Sequence, residues 1–331
     1  MVRLPSLLVL AGLATVPPAF VDRLPGWRRP WRQRTLGRKA FADELISWAE
    51  AAGYTPRSTL KALGGSDWSR FYRLKTETGE LFVKSSSREA AKMFAGEAEG
   101  LRALSAAAQS EGLLRVPKVL YVGDRTEGSG SFIVLEYLEL GGPRDSKALG
   151  RAMASLHAEE RSSRFGFEVN NTIGDTPQRN PWSDDWVAFY RDHRLGYQVD
   201  MADDGYLTRL FNAVSPRLGE LFDGVDVRPS ILHGDFWTGN IGVVKGEPAI
   251  FDPAAYYGHH EAEWGMSWCA SLSEEFWEGY RERIPEQPGF EARRPLYQAY
   301  HQINHYNLFG GGYLNAAIRC LETVKRTLEG G

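Results

Sequence analysis

The sequence predicts a two-lobed α+β fold, with a strand-rich lobe over 41–140 and a helical lobe over 141–331. Three observations carry that expectation. A strand, a hairpin turn and a returning strand over 71–84 run into one long helical pattern at 88–107. Gly141-Gly142-Pro143 then interrupts the pattern as a connector. Beyond it, apolar residues recur at helical spacing in one segment after another.

Taken in order, the first lobe opens with a short helix from about 41. Leu63-Gly64-Gly65-Ser66 reads as a turn and 71–74 as a strand. Glu77-Thr78-Gly79-Glu80 makes the hairpin, and Leu81-Phe82-Val83-Lys84 is the returning strand. In the helix that follows, Met93, Phe94, Glu97, Leu101 and Leu104 keep helical spacing. Glu97 shares a face with Met93 and Leu101, which directs it inward. Strands at 117–123 and 131–136 flank a loop of Gly128, Ser129 and Gly130. In the second lobe, Leu149, Ala152, Met153 and Leu156 define a helix that starts near Ser146. Further helices are expected over 182–199, 206–222, 261–271 and 295–308. Two short strands, 241–244 and 248–251, are joined by Lys245-Gly246-Glu247.

The chemistry is concentrated in His233-Gly234-Asp235-Phe236-Trp237-Thr238-Gly239-Asn240 and in Ile250-Phe251-Asp252. Phosphoryl transfer from ATP needs such a set. One carboxylate orients and deprotonates the attacking hydroxyl, while an amide and a second carboxylate hold Mg²⁺ on the phosphates. The spacing from Asp235 to Asn240 equals that of the kinase catalytic loop His-Arg-Asp-x-x-x-x-Asn. Here His-Gly-Asp replaces His-Arg-Asp, and Asp252-Pro253-Ala254 stands where Asp-Phe-Gly would, a variant of small-molecule kinases. Upstream, a kinase needs a glycine-bearing turn, a strand lysine and a helix glutamate. Gly64, Gly65 and Ser66, then Lys84, then Glu97 supply them in order. Taken singly, Lys84 reads as an edge-strand lysine, Glu97 as a partly buried helix residue and the glycines as a plain turn. Their order, followed by Asp, Asn and Asp, favours the kinase.

The roles follow. Asp235 is the base, Asn240 and Asp252 the Mg²⁺ ligands, and Lys84 the partner of the α/β-phosphates, fixed by Glu97. ATP is expected between the lobes, with Glu136, Tyr137 and Leu138 as a hinge whose backbone meets adenine. That last role rests on position alone. His233 is read as a buttress of the loop.

These segments, with Met93-Phe94-Ala95-Gly96-Glu97-Ala98-Glu99-Gly100-Leu101, Asn171-Thr172-Ile173-Gly174, Gln178, Asn180 and Tyr257-Gly258-His259 before Glu261, resemble the fructosamine-3-kinase (ketosamine-3-kinase) family. The match runs from about Asp43 to the C-terminus, and Trp237 is its most specific piece. The resemblance implies a protein-kinase-like fold of the aminoglycoside phosphotransferase and choline kinase type. It implies ATP-dependent phosphorylation of the 3-hydroxyl of a ketosamine, after which the sugar is eliminated and the amine restored. Outside animals the family is linked to ribulosamines and erythrulosamines. Trp237, Gln178 and Asn180 are then substrate residues, and Glu261 a weaker candidate. One departure stands out. Many relatives carry a cysteine in the glycine-rich turn, able to form an intersubunit disulfide, where this chain has Ser66. Its two cysteines, Cys269 and Cys320, lie far from the turn in apolar sequence and read as core residues. The tryptophans Trp264, Trp268 and Trp277 read likewise as core.

Composition sets the bounds. The 331 residues, 24% charged and 43% hydrophobic, are ordinary for a soluble globular protein. A net charge of -3 gives no sign of nucleic-acid binding. Two cysteines exclude a disulfide scaffold. A monomer is expected, without stable membrane insertion of the mature domain. Residues 1–36 stand apart as a targeting presequence or a disordered basic tail. An apolar run broken by Pro5, Pro17 and Pro18 is followed by Arg23, Arg28, Arg29, Arg32, Arg34, Arg38 and Lys39. A signal-like run before an arginine-rich, acid-poor tract resembles the bipartite presequence of algae with complex plastids. Plastid import is therefore expected, with a membrane anchor and a cytoplasmic or mitochondrial location as alternatives.

Two other functions stay open. Another small-molecule kinase of the fold, acting on an aminoglycoside or choline, calls for acids on the substrate lobe, and Asp184-Asp185 and Asp203-Asp204 could supply them. An inactive kinase-like binding protein would have lost one of Lys84, Asp235, Asn240 or Asp252, and none is lost.

Overall fold

A computed structural model of the chain describes residues 31–66, 69–88, 90–126 and 129–330. Most of the expected presequence, and Gly128, lie outside the described residues. Helix α1 (Trp31–Ala51) starts earlier than the sequence suggested.

Five strands follow in the first unit: β1 (Lys61–Gly65), β2 (Arg70–Thr76), β3 (Gly79–Ser86), β4 (Val119–Asp124) and β5 (Ser131–Glu136). They form one antiparallel sheet in the order β1-β2-β3-β5-β4. Phe41, Leu45 and Ala49 of α1 pack on Leu74, Leu81, Val83, Phe132 and Val134. Side chains alternate across a strand, so Lys84 points to the opposite face, level with Phe71 and Ile133 on the flanking strands. β3 is an interior strand, which rules out the edge-strand reading of Lys84.

The glycine-rich turn is displaced from its expected place. Gly64 and Gly65 lie in β1, and the Ser66 N–H donates to the Ser69 carbonyl at 2.9 Å. Glycine is needed at 65 because a Cβ there would stand 2.4 Å from that same carbonyl oxygen. Close approach of the returning strand, rather than turn geometry, selects it.

The helix bearing Glu97 is α2 (Ala91–Ala108). The chain forms two compact units, one up to Ala95 with Pro117–Leu140, the other Gly96–Val116 with Gly141–Gly331. Residues 96–116, placed by the sequence in the first lobe, thus group with the second unit. Two glycines show why. A Cβ on Gly96 would meet the Asn171 Cβ at 2.6 Å, and one on Gly100 the Ala255 Cβ at 3.1 Å. One side of α2 lies directly on those loops.

The second unit continues with α3 (Ser146–Ala158) and a hairpin of β6 (Asn171–Ile173) and β7 (Thr176–Gln178). Next, α4 (Trp186–Tyr190) passes through a π-helical turn into α5 (Tyr197–Ala202), and α6 (Gly205–Val214) follows. The strands β8 (Pro229–Leu232), β9 (Ile241–Val244), β10 (Glu247–Ile250) and β11 (Tyr256–His259) carry the central loops. After a 3₁₀ turn, His260–Met266, come α7 (Ser267–Ala270), α8 (Glu274–Arg281), α9 (Phe290–Phe309) and α10 (Tyr313–Leu328). The helix expected from 182 begins at 186 because the Asp185 carboxylate caps it, accepting the Ala188 N–H. Asp145 and Asp204 cap α3 and α6 in the same way. Asp184 pairs with Arg164 at 3.0 Å. Asp185 and Asp204 are therefore committed to capping rather than to a cationic substrate, and Asp184 sits in an exposed ion pair. Among the described residues no helix is long and apolar enough to cross a membrane.

Candidate active site

β8 leads into the His233–Asn240 loop, and β11 runs antiparallel beside it, pairing Tyr256 with Leu232. The chain after Asp252 therefore returns along the strand that precedes Asp235. The His233 carbonyl accepts the Ala254 N–H at 2.9 Å. Gly234 has φ of 78°, and a Cβ there would lie 2.2 Å from the Ala254 carbonyl oxygen, so no other residue fits. The buried His233 ring spans the loop. Its Nδ1 accepts the Asp235 N–H at 3.3 Å, which leaves the proton on Nε2 for the Phe251 carbonyl at 3.0 Å. Burial lowers its pKa and keeps it neutral, the role of a buttress.

Asp235, Asn240 and Asp252 converge. The Asn240 Nδ2 donates to the Asp235 Oδ2 at 3.0 Å, to the Asp235 carbonyl at 2.9 Å and to the Asp252 carbonyl at 3.3 Å. Its NH₂ is thus committed, and its carbonyl oxygen is the end left for a cation. Asp252 is exposed and holds φ of 61°, a left-handed conformation that usually costs about 1 kcal/mol or more and collects at functional sites. Asp235 is partly buried. Burial first, then the charge of Asp252, push its pKa from 3.8 up to about 7, against hydrogen bonds from Asn240 and the Trp237 indole. A carboxyl tuned to that range suits a proton acceptor working near neutrality.

Trp237 folds its indole over Gly239, where a Cβ would stand 2.4 Å from the ring. Thr238 anchors the loop to the Cys269 carbonyl at 2.7 Å. Glu263 holds it from beneath. Its carboxylate accepts the His233 N–H at 2.6 Å and the Gly234 N–H at 2.9 Å.

In the first unit, Lys84 is 7% exposed on β3, where a charged group needs a compensating partner. Glu136 closes β5, its carboxylate accepting the Lys118 N–H at 3.3 Å. The Tyr137 N–H donates to the Glu80 carbonyl at 3.1 Å, and the Arg73 guanidinium lies 4.5 Å over the Tyr137 ring. Leu138 is buried. In the second unit, Glu97 is buried on α2.

Gln178 and Asn180 do not present themselves to a substrate. Both are buried, and both ends of each amide are engaged. The Gln178 Nε2 donates to the Asn171 Oδ1 at 2.9 Å and the Ala254 carbonyl at 3.0 Å, while its Oε1 accepts the Tyr300 hydroxyl at 2.7 Å. The Asn180 Nδ2 donates to Asn171 and the Val169 carbonyl, and its Oδ1 accepts from Arg194 at 2.6 Å. They brace Ala254 and Ala255 behind Asp252. Glu261 is likewise spent on a buried pair with Arg293 at 2.6 and 2.7 Å. Trp268, expected in the core, is 42% exposed. Cys269 and Cys320 are half-buried free thiols. Burial, and for Cys269 the nearby Asp235 charge, push Cys269 up to about 12 and raise Cys320, so both are poor thiolates.

The family model for fructosamine kinase matches residues 42–327. The chain belongs to the fructosamine kinase family. It is 42% identical to a chloroplastic protein-ribulosamine 3-kinase of rice (Oryza sativa subsp. indica), over 91% of this chain and 92% of that one. It is 33% identical to a mouse ketosamine-3-kinase, over 81% and 96%. Among solved structures, a Thermobifida fusca protein described as a fructosamine-3-kinase aligns with a TM-score of 0.74 at 25% identity, covering 85% of this chain and 98% of that one. Aminoglycoside phosphotransferase APH(4)-Ia aligns with a TM-score of 0.57 at 18% identity, covering 89% and 99%, and shares the kinase-like α+β fold. Within this fructosamine kinase, sequence reasoning missed Glu263, His157, Arg194 and Tyr300. None lies in the catalytic motif, and each acts through backbone or through another side chain. The signal that existed was Glu261-Ala262-Glu263, two acids in a run whose Trp264 and Met266 are buried.

Proposed function

We infer that this chain is an ATP-dependent ketosamine 3-kinase. The observation that carries the inference is the convergence of Asp235, Asn240 and Asp252 around one amide, in a member of the fructosamine kinase family. Asp235 aligns the acceptor hydroxyl and takes its proton. The hydroxyl oxygen bonds to the γ-phosphorus as the bond to the β,γ-bridging oxygen breaks, and ADP leaves. In the first unit, Lys84, the 64–66 segment and the backbone of 136–138 are assigned to the nucleotide on their likeness to the kinase pattern.

The exposed Asp252 carboxylate and the Asn240 carbonyl oxygen are hard oxygen donors of the kind that would hold a Mg²⁺ ion. When bound, the ion neutralises phosphate charge. Trp237, whose indole N–H reaches Asp235, offers an apolar wall to the sugar beside the base. The names of the plant relatives favour ribulosamine as the sugar and a plastid as the location. ATP consumption with ribulose-, erythrulose- and fructose-lysine against choline and kanamycin tests the reading. Turnover confined to the three ketosamines supports it. Turnover confined to choline or kanamycin, or with none of the five, overturns it.

A further inference from the structure

Glu263 carries more donors than a spare buried acid would collect. Its side chain is fully buried, yet its pKa is lowered, because donors outweigh the cost of burial. Beside the two loop amides, its Oε2 accepts the His157 Nε2–H at 3.3 Å. The other nitrogen of His157, Nδ1, meets the Tyr280 hydroxyl at 2.9 Å, and that hydroxyl meets the His260 Nδ1 at 3.2 Å. His260 stays neutral because burial first, then His157, lower its pKa to about 3. The spacing between His157 on α3 and Tyr280 on α8 is set by backbone contact. A Cβ on Gly150 would lie 2.0 Å from the Phe276 carbonyl oxygen, and one on Gly279 2.2 Å from that of Lys147.

We infer that Glu263 is a positioning residue for the catalytic base, acting through the His233 and Gly234 amides and fixed in turn by His157 and Tyr280. Two amides gripped by one carboxylate fix the peptide planes on either side of His233, and the second of them leads into Gly234, the residue before Asp235. Gly234 is the pliable link next to Asp235, since it has no side chain to restrain it. The carboxylate restrains it instead, and charge-assisted hydrogen bonds are the stronger kind.

Glu263→Gln in the full chain tests this, because an amide offers one oxygen and sets an NH₂ against the other backbone N–H. The readouts are kcat, KM for ATP and for ribulose-lysine, and hydrogen exchange at the His233 and Gly234 amides. Misplacing a reacting group by about 1 Å can cost roughly 100-fold, so kcat should fall roughly 10- to 100-fold with both KM values held within about threefold. Exchange at the two amides should rise about tenfold or more while that of the α9 core stays as in the wild type. Glu263→Asp, which keeps the charge, should recover part of kcat. Unchanged kcat and exchange, a loss confined to KM, or exchange raised across the whole unit would overturn the inference. If Glu263→Gln does not fold, Tyr280→Phe decides. It should lower kcat roughly three- to tenfold at constant KM and loosen the same amides, and wild-type values for both overturn the inference. The kinetic arm rests on the ketosamine 3-kinase reading. The exchange arm does not, so a chain inactive on every ketosamine would sink that reading and leave the amides to judge Glu263.

Discussion

Replacing Asp235 by Asn should stabilise the ligand-free protein while it stops phosphoryl transfer. In the folded chain the carboxyl is pushed from 3.8 up to about 7, by burial first and by the charge of Asp252 second. Between those values the folded state keeps a proton that the unfolded chain has released. Stability from this group is therefore full below the unfolded value and is lost as pH rises through about 7. A shift of about three units corresponds to about 4 kcal/mol as an upper bound. Asp235 is partly open to water, which reduces this to about 2 kcal/mol. Asn avoids the buried charge and keeps an oxygen for Asn240. For a chain of this size the gain is worth about 3 °C in Tm. The assay is a pair of thermal melts in EDTA without nucleotide, at about pH 8 and about pH 4.5. The variant should melt higher at the alkaline value and level with the wild type at the acid one. A variant less stable at both, or more stable by the same amount at both, would refute the reasoning, because neither outcome comes from a buried charge. Transfer should fall roughly 100- to 10,000-fold in the same variant, with ATP binding retained.

Other outcomes follow from the same geometry. Asp252→Ala and Lys84→Ala should be severely impaired with every acceptor, whereas Trp237→Ala should weaken the ketosamine more than slow background ATP hydrolysis; equal scaling of both activities in all three would erase the division between nucleotide and sugar residues. Gln178→Ala strands the Tyr300 hydroxyl and the Asn171 and Ala254 acceptors, so it should cost about 1–3 kcal/mol of stability in denaturant melts. A Gln178→Ala protein of wild-type stability with a raised acceptor KM would return that residue to the substrate site. With Ser66 in the turn and both thiols held protonated, activity and size-exclusion profile should change little between peroxide and dithiothreitol. A covalent dimer whose reduction alters activity would show that Cys269 or Cys320 acts as a switch.

The parts of the site that could be read from sequence are those where one short motif fixes both residue type and spacing. Asp235, Asn240 and Asp252 are of this kind, since a five-residue step and one hairpin bring them together without help from distant chain. The strand that carries Lys84 was legible from the hairpin turn before it, and Lys84 itself from its order between the glycines and Glu97. The glycine turn was misplaced because local sequence cannot show that Gly65 faces the Ser69 carbonyl across a ladder. Gln178 and Asn180 were misread for a related reason. Their polarity suits a sugar, but their partners, Tyr300 and Arg194, lie 122 and 14 residues away in sequence. Glu261 and Glu263 are alternate residues of one 3₁₀ turn. Only the fold shows that the first faces Arg293 and the second the catalytic loop. α8 and α10 went unread, although their buried faces carry Phe276 and Tyr280, and Leu321 and Val324.

The most direct test of the kinase assignment is phosphorus NMR of the product formed from ribulose-lysine and ATP by the full chain. A phosphomonoester coupled to the proton on the third sugar carbon, formed in step with ADP and absent with Asp235→Asn, is the expected result. Phosphate on another hydroxyl, release of inorganic phosphate alone, or the same product from the Asp235→Asn protein would contradict it.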